Sequence, residues 1–242
     1  QRNIENRFWG RLNSHSKGTA MTSIRLQGII FSVLAFATAF CSMLFARLDA
    51  QPELIVIAVL IVALGVPHGA LDTIFARNLY NTRSIGQWLV FALAYLCLAL
   101  TVVGIWLLSP FVFLSGFLII SLAHFSGDLR DGTPLFVQIA YGGAILVLPI
   151  LLHSSEVTQL FMLLGGSTAA NQVVKVLQFL SWPWLLVCIF AVAVETVKDR
   201  YAALELAAVV VLGVVSPPLI AFTVFFCAMH SARKLNRRLH GW

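Results

Sequence analysis

Apolar stretches long enough to cross a hydrocarbon layer recur along nearly the whole of this chain. They restrict its fold more than any other feature. A spanning helix needs about 20 mostly apolar residues, because backbone groups in lipid must find their hydrogen bonds internally. Candidate spans are Leu26–Leu48, Leu54–Ala76, Trp88–Leu108, Phe111–His124, Leu135–Leu152, Trp184–Val197, Ala202–Val215 and Leu219–Ala232. Local bilayer thinning accommodates the shorter ones. Prolines punctuate the ends at Pro52, Pro110, Pro134, Pro183 and the pair Pro217-Pro218; Ser216-Pro217-Pro218 reads as a helix-to-helix turn. The expected fold is all-α, a polytopic transmembrane helical bundle of about eight spans.

Composition agrees. The chain is 60% apolar and 11% charged, where soluble domains run at about 45–50% and about 25%. A soluble globule, a disordered chain, a fibrous repeat and a disulfide scaffold are excluded. Cys41, Cys97, Cys188 and Cys227 stand singly in apolar runs, without the paired spacing of a zinc or redox motif, and read as small buried hydrophobes.

An even number of spans also explains the charge. With a cytoplasmic N-terminus, fourteen of the 16 basic residues fall on the inner side, and Arg47 and Lys175 on the outer. That asymmetry follows the positive-inside rule and places both termini in the cytoplasm. The net charge of +6 is thus a consequence of topology and needs no nucleic-acid partner. The chain divides into a polar, basic leader at 1–23 without a signal-peptide pattern, a transmembrane helical domain at 24–236 and a basic tail at 237–242. The polar interruption from His153 to Ser181 is expected to form one or two interfacial helices on the outer side.

An ionisable side chain inside a span is costly and marks a functional site by default. His68, His124 and His230 qualify, whereas His15, His153 and His240 read as surface residues. Counted from the outer end of their spans, the three lie roughly 17–21 Å deep, at one level in the inner half of the bilayer. Each has a polar residue four positions on: Asp72, Asp128 and Lys234 respectively. That spacing puts both side chains on one helix face. Imidazoles from several helices pointing at one centre suit iron, copper or zinc. Asp72 and Asp128 are the candidate catalytic carboxylates, as ligands or as acceptors that fix each ring's tautomer. Glu205 is a further charge within the membrane, which either joins the cluster or snorkels. Pro67 kinks its span, and Gly65 and Gly69 permit close approach of a helix or ligand.

At these residues the sequence resembles the Brp/Blh family of membrane β-carotene 15,15'-dioxygenases. The resemblance is carried by Val66-Pro67-His68-Gly69-Ala70-Leu71-Asp72 and by Ala123-His124-Phe125-Ser126-Gly127-Asp128. A third element runs from Ser216-Pro217-Pro218-Leu219 to Phe226-Cys227-Ala228-Met229-His230-Ser231-Ala232-Arg233. Leu148-Pro149 and Glu156-Val157 match in order and spacing. The resemblance implies a multi-pass protein of the cell inner (plasma) membrane that uses Fe(II) and O2 to cleave β-carotene, or a related carotenoid, to retinal. By position His68, His124 and His230 would be the metal ligands. It also implies association with a retinal- or pigment-binding membrane protein.

The chain departs from the family in two places. The family motif continues H-S-x-R-H, where this chain has Lys234, and an ammonium repels a metal cation. The family also continues with further helices beyond the position of Trp242. These departures keep open a second reading, a non-catalytic carotenoid-binding or structural membrane subunit on the same scaffold. A transporter would show internal repeats, and none is evident. A Schiff-base role for Lys234 conflicts with its position at a span end beside Arg233, Arg237 and Arg238; snorkelling is the simpler account.

Overall fold

The structure, a computed structural model, describes residues 2–44, 85–129 and 132–234. The expected span Leu54–Ala76, with His68 and Asp72, lies outside the described residues. Those described are helical, with no strand among them. In chain order they form α1 (Arg2–Leu44), α2 (Ile85–Leu108), α3 (Pro110–Ser126), α4 (Leu135–Val147), α5 (Ile150–Lys198), α6 (Arg200–Val215) and α7 (Pro218–Val224). A π-helical segment, π1 (Phe225–Ser231), follows directly.

Three of these are long and apolar enough to cross a membrane: the Ser23–Leu44 part of α1, with 22 residues, α2 with 24 and α5 with 49. Helices α3 and α4 are apolar but shorter. Proline sets several boundaries as the sequence suggests. Pro110 occupies the first turn of α3, where its missing N–H costs nothing. Pro134 precedes α4, and Ser216 and Pro217 are extended between α6 and α7.

Pro183 is different. It lies inside α5, so Trp184 does not open a separate helix. The stretch expected as interfacial helices is continuous with the apolar segment after it. Its real interruptions are His153 and Gly166, both with non-helical backbone angles. Gly166 has φ 76° and ψ 171°, a region that only glycine enters readily. Beside this break the Trp106 indole of α2 donates to the Leu164 carbonyl at 2.7 Å, satisfying an acceptor that a broken helix exposes.

Helix α4 is the centre of the bundle. Most of its residues are buried, including Ala140, Tyr141, Gly142, Gly143, Ala144 and Ile145. In lipid there is little hydrophobic drive between helices, so close packing of small residues carries association. Three neighbours use this property. A Cβ on Gly142 would meet the Ser126 backbone N at 2.6 Å, and one on Gly143 would overlap the Trp184 indole. Gly213 of α6 lies against the Ala144 carbonyl. Trp184 and Cys188 of α5 both donate to the Ala140 carbonyl. Of the four cysteines, Cys188 is buried as expected, whereas Cys41 and Cys97 are exposed.

Gly142 therefore fixes how closely the C-terminal end of α3 approaches α4. A Gly142→Ala substitution is expected to destabilise the protein by about 1–3 kcal/mol through overpacking against backbone. A fall in the thermal midpoint in detergent relative to wild type measures this; an unchanged midpoint would show that the close approach is dispensable.

Candidate functional site

His124 lies in the last turn of α3, and His230 in π1. Packing of the two segments brings their Nε2 atoms to 3.0 Å, with ring centroids 4.7 Å apart. The carboxylate of Asp128 accepts from Nδ1 of His230 at 2.6 Å. Lys234 Nζ lies 3.0 Å from Nε2 of His124. Four polar side chains thus form one chain, Asp128 to His230 to His124 to Lys234.

The sequence paired each histidine with the residue four positions on. The contacts described here run crosswise instead, for two local reasons. Helix α3 ends at Ser126, and Asp128 sits in the following turn, its N–H bonded to the Phe125 carbonyl. The i,i+4 rule therefore does not govern His124 and Asp128. The other histidine stands in a π-helix, whose wider turn shifts residues four apart off a common face. Lys234 accordingly reaches His124, and Asp128 reaches His230.

The buried member of the pair, His230, has apolar walls, whereas His124 is exposed. His230 is 1% exposed. The Phe226 ring stacks on it at 5.5 Å and that of Phe125 meets it edge-on at 5.1 Å. Phe125 in turn packs against Phe222 and Phe225. Such a setting excludes water from His230 and strengthens its contact with Asp128.

Behind the pair lies a buried ionic network. Arg233 makes two 2.6 Å bonds to the two oxygens of Glu205, and both residues are buried. The same guanidinium donates to the Asp128 backbone carbonyl at 3.3 Å and to Gln27 Oε1 at 3.4 Å. Gln27 Nε2 donates to the carbonyls of Ala228 and Met229, each at 3.1 Å. Of the two alternatives the sequence left for Glu205, pairing beside the cluster is the one adopted. Arg233 closes the third family element and falls among the inner-side charges of the sequence, yet it is 3% exposed. Gln27 carries no charge, and no sequence signal marks it.

His153 also differs from its surface reading. It is buried, donates through Nε2 to the Val215 carbonyl at 3.0 Å and stands 3.3 Å from Glu156. It fastens the start of α5 to the end of α6.

Does this donor set suit a metal? Two imidazole nitrogens bound at about 2.0–2.1 Å in adjacent positions would stand about 3 Å apart, which is the observed Nε2 spacing. The hydrogen bond from Nδ1 to Asp128 leaves Nε2 of neutral His230 as a lone pair, the usual arrangement of a ligating histidine. His124 Nε2 cannot donate to His230 and accept from Lys234 at once, and a metal at that nitrogen would have to displace the Lys234 contact. These two donors fit iron or a similar transition metal. Among the described residues no group of three or more His, Cys, Asp or Glu side chains converges to hold one. His68, the third expected ligand, and Asp72 lie outside the described residues.

Among the described residues the chain is all-helical, with three helices long and apolar enough to cross a membrane and a histidine pair where α3 meets π1. A family model described as Beta-carotene 15,15'-dioxygenase matches residues 59–241. The chain is also 33% identical over 183 residues to the Beta-carotene 15,15'-dioxygenase of uncultured marine bacterium 66A03, covering 73% of this chain and 66% of that relative. The chain belongs to the β-carotene 15,15'-dioxygenase family. It spans slightly less than two thirds of that relative's length. No solved structure matches it.

Removing one member of the Arg233–Glu205 pair strands a buried charge. Arg233→Met or Glu205→Leu alone is expected to cost about 3–5 kcal/mol, and the double variant much less, because an apolar pair of similar volume replaces both charges. A double-mutant cycle on unfolding in detergent reads this difference. Additive losses would mean that the pair is not coupled.

Proposed function

We propose that the chain is a multi-pass inner-membrane oxygenase that cleaves β-carotene, or a related carotenoid, with O2 to give retinal. The carrying observation is the pair of Nε2 atoms 3.0 Å apart, with the Phe226 ring stacked on His230, found on a chain of the β-carotene 15,15'-dioxygenase family. His124 and His230 would hold iron through Nε2, with His68 as the further ligand expected from sequence. Ferrous iron, when bound, supplies the redox chemistry that allows O2 to attack a carbon–carbon double bond.

The protein's own side chains do the rest. Asp128 holds the His230 proton at Nδ1, orients the ring and raises the basicity of Nε2. It acts at one remove from the metal, as an outer carboxylate. Phe125, Phe222 and Phe226 supply an apolar wall suited to a polyene and keep water away from reactive species. Lipid-facing helices let so apolar a substrate enter sideways from the bilayer, and an even span number keeps both termini cytoplasmic. A retinal- or pigment-binding membrane protein is the natural recipient of the product.

One observation favours a second reading. Lys234 Nζ stands at the Nε2 atom of His124 that a metal would use, and an ammonium there competes with a cation. On this reading the chain is a carotenoid-binding or structural subunit without turnover.

Expression in β-carotene-producing cells separates the two. The oxygenase yields retinal and retains near-stoichiometric iron after purification; pigment bound without retinal, from folded and iron-replete protein, sinks it in favour of the second. His124→Ala and His230→Ala are expected to abolish retinal formation. Asp128→Asn is expected to weaken iron binding about 10–100-fold, measured by metal titration. Reporter fusions at the two ends test the topology, and an outer location of either end would reject it.

A further inference from the structure

We propose that Gln27 is a positioning residue for the histidine pair, acting through the backbone of π1 and through Arg233. The inference rests on the metal-centre reading above and adds to it a helix, α1, whose contacting residues lie outside the matched stretch 59–241.

The geometry is specific about what Gln27 does. Its amide nitrogen donates to two consecutive carbonyls, Ala228 and Met229, and lies 3.4 Å from the Met229 sulfur. These carbonyls precede His230 by two and one residues in the π-helical segment. A π turn departs from regular α hydrogen bonding and is rarely stable by itself. An external donor to consecutive carbonyls is a physical means of holding it.

The other end of the amide accepts from Arg233 Nε at 3.4 Å. Since a guanidinium has no acceptor, this contact dictates which end of Gln27 faces which neighbour. Arg233 itself is held by both Glu205 oxygens and donates to the Asp128 carbonyl. The network therefore grips both ends of the Asp128–His230 hydrogen bond: the Asp128 backbone through Arg233, and the His230 backbone through the preceding carbonyls. Gly28, the next residue on α1, has no room for a Cβ, which would lie 2.8 Å from Glu205 Oε2. Helix α1 thus approaches close enough for the short Gln27 side chain to span the gap. The contacts join residues 201 and 202 positions apart.

Two substitutions separate the roles of the two ends. Gln27→Glu keeps size and the acceptor for Arg233 but turns the donor into an oxygen facing two carbonyls. Gln27→Met removes both polar ends and keeps the volume. The full chain is reconstituted in lipid nanodiscs with isotope-labelled histidine. The His230 ring-nitrogen signals, assigned by their loss in His230→Gln, report the proton on Nδ1. Cobalt(II) titration reports the metal site independently of turnover.

In both variants the His230 Nδ1–H signal is expected to shift or split, and cobalt(II) affinity to fall about tenfold or more. A merely structural Gln27 would lower the thermal midpoint while leaving the His230 signal and cobalt affinity unchanged, and that result overturns the proposal. So does a Gln27→Glu protein indistinguishable from wild type, or a wild type that lacks the Nδ1–H signal. Failure of wild type to bind cobalt(II) defeats the metal-centre reading instead, and the ring signal alone then decides the role of Gln27.

Discussion

A charged side chain taken out of water must carry its compensation with it, and the inner part of this bundle is arranged around that requirement. Arg233 and Glu205 meet through two 2.6 Å bonds while both are nearly sealed from solvent. Desolvating such a pair costs several kcal/mol per ion, and only good geometry with further hydrogen bonds offsets it. The further bonds go to the Gln27 side chain and the Asp128 carbonyl. Through them α1, the turn after α3, α6 and the end of π1 are held in one arrangement. The His124–His230 contact sits directly on that foundation.

Much of this was legible in the sequence because charge is scarce in it. An imidazole in an apolar run stands out, and the structure brings two of the three marked histidines into contact. Pairing Asp128 with His124 assumes that a helix continues through Gly127, where α3 has already ended; the carboxylate meets His230 instead. His153 looked peripheral because it opens a polar stretch, yet it is buried against the end of α6. Pro183 looked like a terminator, but within a bundle a helix can absorb a proline when neighbours or local adjustment satisfy the freed groups. Gln27 was invisible: a neutral amide near the start of a span has no pattern, and its contacts depend on a fold joining opposite ends of the chain.

Packing and chemistry are closely linked around α4. Gly142 lets the Ser126 end of α3 lie against α4, while Gly143 and Gly213 admit α5 and α6. A bundle assembled from small residues in this way is rigid, since close-packed interiors transmit displacement instead of absorbing it. His124 and Asp128 flank the point where α3 touches Gly142, so the spacing of the histidine pair inherits the precision of the glycine contact.

The π segment has one more consequence, for the kinds of sequence change the chain can tolerate. A π turn can be viewed as an α turn with one residue inserted, and each residue of an α-helix advances the chain by about 100° around its axis. Deleting a single residue between Phe225 and Ser231 would restore α-helical winding. Because the wide turn takes up the extra residue, Arg233 and Lys234 would keep nearly the same orientation relative to α7. What the deletion would remove is the wide turn itself, with the consecutive carbonyls of Ala228 and Met229 that Gln27 holds. The extra residue is thus a local device: it re-aims a few backbone groups toward α1 and leaves the course of the helix on either side of it unchanged.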